Sequence, residues 1–362
     1  MTRHKKAILR LNLNSFDKEW MLQYAYTHLR DNWSPAPWKK DLMYFLIDWY
    51  SQKETVTATT SGSTGTPKTI ELQKKFMEVS ARLSIDFFGL QPGSKVLLAL
   101  PAKYIAAKML VVRSIAGRFD LYCIEPSGYP FSKFTPPELD FASFTPAQLD
   151  ALLQTEEGRA FAGGIHNILL GGGPIPQSLE EKIKELQTDV WHSYGMTETM
   201  SHIALRKVNG KNATRAFYPL KGVTLEESAG GCLKITAPAL GIYGLETNDM
   251  VTFDNKGGFT VRGRKDNVIN SGGIKLFPEI LEQKIEPLIK TPFYVTAKPH
   301  ERYGEVPVLV IESEPWPEKR TGDLKKAMEG ILNRNEIPKE TYFIPAFKRT
   351  ASGKVIRVKP WG

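Results

Sequence analysis

Cysteine is nearly absent. The 362 residues hold two, Cys123 and Cys232, spaced for neither a metal knuckle nor a redox pair, and a chain of this length needs no disulfide staple. Reduced thiols, and with them a cytoplasmic location, are the expectation. Long apolar runs are missing too. The most hydrophobic stretch, Val96 to Ala116, is broken by Lys103, Lys108 and Arg113, each of which would cost about 2.5–3.5 kcal/mol at the centre of a bilayer. It reads as core rather than as a membrane span. The first residues are basic, but Arg10, two asparagines and Asp17 interrupt the chain before a signal-peptide core can form. The last 20 residues, Phe343 to Gly362, contain no acidic side chain and five basic ones.

A net charge of +9 raises the question of nucleic acid. The charge is spread, however: 16 basic and 12 acidic side chains lie from Asn267 onward, and no basic run with interleaved aromatics, zinc spacing or recognition-helix pattern is present. Phosphates on a small molecule would serve the same surplus. Hydrophobic residues make up 41% of the chain, with 18 Phe, 13 Tyr and 7 Trp against 24% charged residues, which is ample for a folded core and excludes disorder. The length favours two domains.

From about residue 55 to 195, β-rich runs alternate with helical periodicity. The run Thr55–Thr60 precedes a helical segment carrying Phe76, Val79, Leu83 and Phe87. Then come KVLLALP, a helix near 102–116, FDLYCI, a helix near 146–154, NILL, a helix near 176–187, and VWHSY. This repetition predicts an α/β fold with parallel strands and crossovers. Short strands with Gly and Asn turns come next, between about Ala216 and Val261, a β-rich subdomain. Beyond GRKDNVINSGG lies a smaller α+β unit: a helix opened by Pro278 with Ile280, Ile285, Leu288 and Ile289, strands FYVTA and VPVLVIE, an amphipathic helix near 322–334, and the basic tail. The predicted division is 1–265 for a large domain and 266–362 for a small mobile one.

Five short elements carry chemistry. Thr60-Ser61-Gly62-Ser63-Thr64-Gly65-Thr66-Pro67-Lys68 succeeds a strand, and glycine backbone, hydroxyls and one lysine together suit a phosphate cradle. It is not a G-x-x-x-x-G-K-[ST] loop, and taken alone it also suits a flexible Ser/Gly turn. His192-Ser193-Tyr194-Gly195-Met196-Thr197-Glu198-Thr199 ends a strand and puts a carboxylate beside hydroxyls, as a hard cation bridging phosphates requires; a packed Tyr and a solvated Glu are the plainer alternative. Gly171-Gly172-Gly173 admits a flat ring against bare backbone, or forms a tight turn. Asp249 and, fourteen residues on, Gly263-Arg264-Lys265-Asp266 suit a ribose cis-diol or a surface ion pair. Ala351-Ser352-Gly353-Lys354 lies in the basic tail.

In this order the elements TSGSTGTPK, YGMTE, TND, GRKD with NSGG, and ASGK resemble the adenylate-forming superfamily, acyl-CoA synthetases in particular, over roughly residues 55–360. The resemblance implies that Thr60–Gly65 and Lys68 bind the β- and γ-phosphates of ATP, that Gly171–Gly173 and Tyr194 flank adenine, with Ser193, Gly195 and Met196 also at the nucleotide, and that Thr197 contacts the α-phosphate. It further implies Glu198 as the Mg²⁺ ligand, Asp249 and Arg264 on the ribose, Asp266 as hinge, and Lys354 as the lysine that stabilises the reacting carboxylate and α-phosphate. The turn Ser271-Gly272-Gly273 would lie by the thiol of coenzyme A. Within the superfamily, SYGMTETMSHIAL and LPAKYIAAKMLVVRSIAGR resemble the branch that couples the aromatic dicarboxylic acid o-succinylbenzoate to coenzyme A for menaquinone biosynthesis. Tyr104, His202 and Arg206 are the candidates for contacting that acid, Arg or His being suited to its second carboxylate. Two departures stand out: the glycine of the usual GD pair is Asn248, and fewer residues precede the first motif than is usual, which predicts a trimmed N-terminal region. Other acyl or aryl ligases, stand-alone adenylation enzymes that load a carrier protein, and a non-catalytic nucleotide- or nucleic-acid-binding protein are the alternatives. Salt-sensitive nucleic-acid binding without ATP separates the last.

Overall fold

The computed structural model describes residues 9–13, 17–30, 36–59, 69–132, 138–350 and 355–361. Its largest element is an eight-stranded sheet. Five strands at its centre, Asp120–Cys123, Lys95–Leu98, Leu139–Phe144, Ile165–Leu170 and Asp189–Gly195, are mutually parallel in that order. Leu9–Asn12 closes one edge antiparallel to Asp120–Cys123. At the other edge His202–Lys207 and then Tyr218–Pro219 run antiparallel. Strands buried on both faces are near-continuously apolar, as DLYC and NILL are.

Helices cover both faces. On one side pack Pro37–Tyr50, Lys74–Phe88 and Ile105–Gly117, whose Leu46, Met77, Ala81, Leu110 and Val111 are fully buried. On the other lie Pro146–Leu152, Glu156–Gly163 and Gln177–Ile183. Two helices that the periodicity did not single out, Lys18–Arg30 and Pro37–Tyr50, pack on each other. The helix Lys74–Phe88 also turns differently from its pattern. Phe87 is 42% exposed, while Met77, Ser80, Ala81 and Ser84 face the core, because small residues let this helix approach Ile105–Gly117 closely.

The β-rich region forms a second, antiparallel sheet, Thr224–Glu227, Cys232–Ala237, Ile242–Phe253 and Phe259–Arg264. A 3-10 turn, Lys265–Asn267, leads into a third sheet built from Ile269–Ser271, Ile274–Leu276, Phe293–His300, Gly304–Glu312 and Thr341–Ile344, with its own core around Ile285, Val295, Leu309 and Ile311. Its helix Pro278–Ile285 starts on proline, as expected for an N1 position. The helix expected near 322–334 instead spans Glu318–Glu329, entered from Pro317 and ended at Gly330. The basic tail is not simply a solvated tail. Thr341–Ile344 pairs parallel to Gly304–Glu312, Arg349 makes two hydrogen bonds to Glu312, and Arg357 makes two to Glu282. Between the helix Gln177–Ile183 of the main sheet and the end of the helix Pro278–Ile285, Glu286 accepts hydrogen bonds from Gln177 N and Ser178 Oγ at 3.2 and 3.1 Å. No helix among the described residues is long and apolar enough to cross a membrane.

Candidate functional site

The carboxyl end of a central parallel strand in an α/β sheet is the usual place for a ligand, and Asp189–Gly195 ends there with Tyr194. Antiparallel register puts Asp249 directly opposite Arg264 on the second sheet. Tyr194 Oη donates to Asp249 Oδ2 at 2.7 Å, and Arg264 Nη1 lies 3.7 Å from Asp249 Oδ1. Burial first, then the Asp249 charge, pushes the Tyr194 hydroxyl well above its ordinary range, so it stays a donor. Its ring is braced edge-on by Phe259 at 5.0 Å and by Phe217 at 5.9 Å. The result is a half-buried corner with an aromatic wall, one carboxylate and one guanidinium.

The turn after Tyr194 is tightly specified. A Cβ on Gly195 would sit 2.3 Å from the Ser201 carbonyl oxygen, so no other residue fits. Thr199 Oγ1 ties the turn together, accepting from Met196 N at 3.0 Å and donating to Ser201 O at 2.6 Å. Met200 comes next with φ 60°, a backbone state that non-glycine residues adopt at a cost of about 1–3 kcal/mol and mainly at functional sites. Thr197 is buried and Glu198 is exposed beside it.

Behind this turn, His192 on the same strand reaches the glycine segment: its Nε2 lies 3.0 Å from the Gly173 carbonyl oxygen. Ser193 Oγ donates to Leu170 O at 2.8 Å. Arg206, opposite His192 in register, donates through Nε to His192 Nδ1 at 3.1 Å, through Nη1 to Thr214 O at 3.3 Å, and through Nη2 to Glu180. Its contacts are therefore with His192, the Thr214 carbonyl and the helix Gln177–Ile183, and it meets the glycine segment only through His192. His202, the other sequence candidate for the acid, is buried: Ser84 Oγ lies 2.9 Å from Nε2, while Ser201 Oγ and Arg113 Nη2 lie 3.2 and 3.4 Å from Nδ1. Tyr104 is half-buried at the start of Ile105–Gly117, with the Lys103 ammonium over its ring at 5.1 Å.

Arg113 was not among the sequence candidates. It is 2% exposed, its Nη2 donates to Ser201 Oγ at 2.6 Å, and its Nε has no hydrogen-bond partner among the described residues. No carboxylate pairs with it among the same residues, and burial alone pulls its pKa down to about 10. The signal in the sequence was a guanidinium within a largely apolar helix that also carries Lys108, which argues against a membrane span but does not by itself name a ligand.

Toward the third sheet, Asn248 Nδ2 donates to Asp266 Oδ2. Ser271 pairs with Ile274 across a two-residue hairpin whose Gly272 and Gly273 have φ 59° and 85°, the paired positive angles of a type I′ turn that glycine accepts without strain. Thr60–Lys68 and Lys354 lie outside the described residues; the former stand between Thr55–Thr59 and Thr69–Gln73, which pair antiparallel. No group of three or more His, Cys, Asp or Glu able to hold a metal ion occurs among the described residues. A magnesium ion carried by a triphosphate needs only one or two protein carboxylates, and the exposed Glu198 fits that demand.

Residues 54–263 match the family described as AMP-binding enzyme. The 2-succinylbenzoate–CoA ligase of Oceanobacillus iheyensis is 27% identical over 332 residues, covering 82% of this chain and 67% of the relative. The crystal structure of an acyl-CoA synthetase (AMP-forming)/AMP-acid ligase II-like protein from Dyadobacter fermentans is 30% identical and superposes with a TM-score of 0.62 over 96% of this chain and 97% of its own. The o-succinylbenzoate coenzyme A synthetase of Bacillus subtilis in complex with ATP and magnesium ion, 20% identical, shares the fold with a TM-score of 0.69 over 96% and 82% of the two chains. With the family match spanning more than half its length, the chain belongs to the AMP-binding enzyme family.

Proposed function

We propose that the protein is an AMP-forming acid–CoA ligase whose acid is an aromatic dicarboxylate of the 2-succinylbenzoate type, acting in menaquinone biosynthesis. The observation that carries the choice of acid is Arg113. A buried guanidinium without an anion is expensive, several kcal/mol before compensation, and this one sits against Ser201 and His202 immediately after the YGMTE turn. A substrate with a second carboxylate supplies the missing charge. The name of the Oceanobacillus relative supports the same acid.

In this reading ATP lies against Tyr194 and the Gly171–Gly173 segment, with its ribose hydroxyls on Asp249 and Arg264 and its phosphates toward Thr197 and residues 60–68. Glu198 would hold Mg²⁺, which neutralises phosphate charge when bound. One oxygen of the acid's carboxylate attacks the α-phosphorus, the bond to the β-phosphate oxygen breaks, and pyrophosphate leaves. The thiol sulfur of coenzyme A then attacks the acyl carbonyl, AMP departs with the shared oxygen, and the thiol proton passes to solvent. Lys354 serves the first half-reaction. Residues 1–265 and 266–362 form the two domains, Asp266 the hinge, and the Ser271–Gly273 turn the approach of the thiol. ATP, coenzyme A and the acid are thus the partners, without nucleic acid or membrane span, and a cytoplasmic location suits two unbridged buried thiols.

Pyrophosphate release with ATP, tested on o-succinylbenzoate, its succinyl monoester, benzoate and a fatty acid, checks this reading. The free diacid is expected to be the best substrate, with coenzyme A thiol consumed in step with pyrophosphate. Equal rates with diacid and monoester would remove Arg113 from substrate selection. Replacing Lys354 with Ala is expected to abolish adenylate formation while sparing thioester formation from supplied acyl-adenylate. Equal loss of both halves would overturn the assignment of that lysine.

A further inference from the structure

Arg206 and His192 form a closed set of hydrogen bonds that points at the glycine segment rather than at the acid. An Nε–H of guanidinium can only donate, so His192 Nδ1 must be the lone-pair nitrogen of the ring. The single ring proton is then on Nε2, facing the Gly173 carbonyl oxygen, which can only accept. The two demands agree, and they define one tautomer. Phe217 packs on the imidazole at 5.0 Å and also lies under the Arg206 guanidinium at 5.7 Å. Glu180 fixes the far side of that guanidinium from the helix that comes directly after the glycine segment.

We propose that His192, held in one tautomer by Arg206 and Glu180, is a positioning residue for the nucleotide: it fixes the Gly173 carbonyl and thereby the shape in which Gly171–Gly173 receives adenine. The inference rests on the AMP-forming reading above. It also moves Arg206 from the acid side, where the sequence placed it, to the nucleotide side. Residue 192 never touches the reacting atoms. Its effect is to keep a bare-backbone slot from collapsing onto the strand beneath it, where a free carbonyl would otherwise reorient.

The test is calorimetric binding of ATP to the full chain, paired with the KM for the acid and with discrimination of ATP against GTP. For His192→Ala, ATP affinity is expected to fall about tenfold, as for one lost hydrogen bond that fixes a binding element, with the acid's KM unchanged and the preference for ATP over GTP reduced. His192→Gln places an N–H near the position of Nε2 and is expected to recover ATP affinity to within about threefold of the parent protein. Arg206→Lys keeps the charge toward Glu180 but removes the Nε donor, and is expected to weaken ATP binding without altering the acid's KM; it serves if His192→Ala does not fold. Unchanged ATP affinity in the alanine variant, equal losses for alanine and glutamine, or a change confined to the acid's KM in Arg206→Lys would each overturn the proposal. A parent protein that binds no ATP overturns the AMP-forming reading itself, which distinguishes the two failures.

Discussion

Two arginine–histidine pairs share one strand, His202–Lys207, and they are opposites. At one end the strand lends His202 to Arg113; four residues on it lends Arg206 to His192. Arg206 is satisfied from within: a carboxylate, a backbone carbonyl and an imidazole take its donors. Arg113 is equally buried, yet its side chain finds only a hydroxyl and the edge of an imidazole, with no carboxylate among the described residues. Both histidines are kept neutral, burial being the first cause and the neighbouring arginine the second. Two buried arginines with unequal neutralisation distinguish a guanidinium paired within the protein from one that no carboxylate reaches among the described residues.

The largest effect expected is on Arg113→Met. Loss of the charge proposed to face the acid's second carboxylate should raise the acid's KM by at least about thirtyfold, since breaking a buried charge pair costs about 2–5 kcal/mol. The same variant should melt no lower than the parent, because an uncompensated buried charge has been replaced by apolar volume. Next, Arg206→Met should lower stability by about 1–3 kcal/mol, read from the urea midpoint, since it strands His192 and leaves the partly exposed Glu180 unpaired. Only the second of the two substitutions is thus expected to destabilise the fold. If both destabilise equally, the distinction between an open and a closed arginine collapses.

A pH series probes the closed pair more finely. His192 stays neutral in the fold down to about 3, whereas the unfolded chain takes up that proton near 6.5. Between these values the unfolded state binds more protons, so stability falls as pH drops, by up to about 1.4 kcal/mol per pH unit from this residue. The urea midpoint should decline from pH 6.5 to 4.5, and less steeply in His192→Gln. An identical slope in the variant would assign the decline elsewhere. The smallest effect expected is for Glu286→Gln, whose contacts with Gln177 and Ser178 are exposed; ATP affinity should change less than twofold.

The fold was legible where burial imposes a period. KVLLALP, FDLYCI and NILL coincide with strands of the main sheet, because a strand covered on both faces is near-continuously apolar, and VWHSY coincides with a strand whose burial alternates. The pattern failed where close packing selects small residues, as with Ser80, Ala81 and Ser84 on Lys74–Phe88. It failed again in the tail, where Arg349 and Arg357 find carboxylates more than thirty residues away in sequence. For the site, motif spacing joins Tyr194, Asp249 and Arg264, and they lie together in the fold. His202 and Arg206 both point to the acid by residue type, while the structure gives each a different neighbourhood.

The sequence by itself determined the order of the chemical elements along the chain and the family they belong to, because phosphate, ribose and magnesium demand particular groups close together in short segments. Only the tertiary structure decided which partners each arginine finds. Arg113 meets Ser201 across 88 positions, and Arg206 meets Glu180 across 26. Whether a buried guanidinium is neutralised depends on which distant carboxylate folding brings to it, and that is a property of packing rather than of any motif.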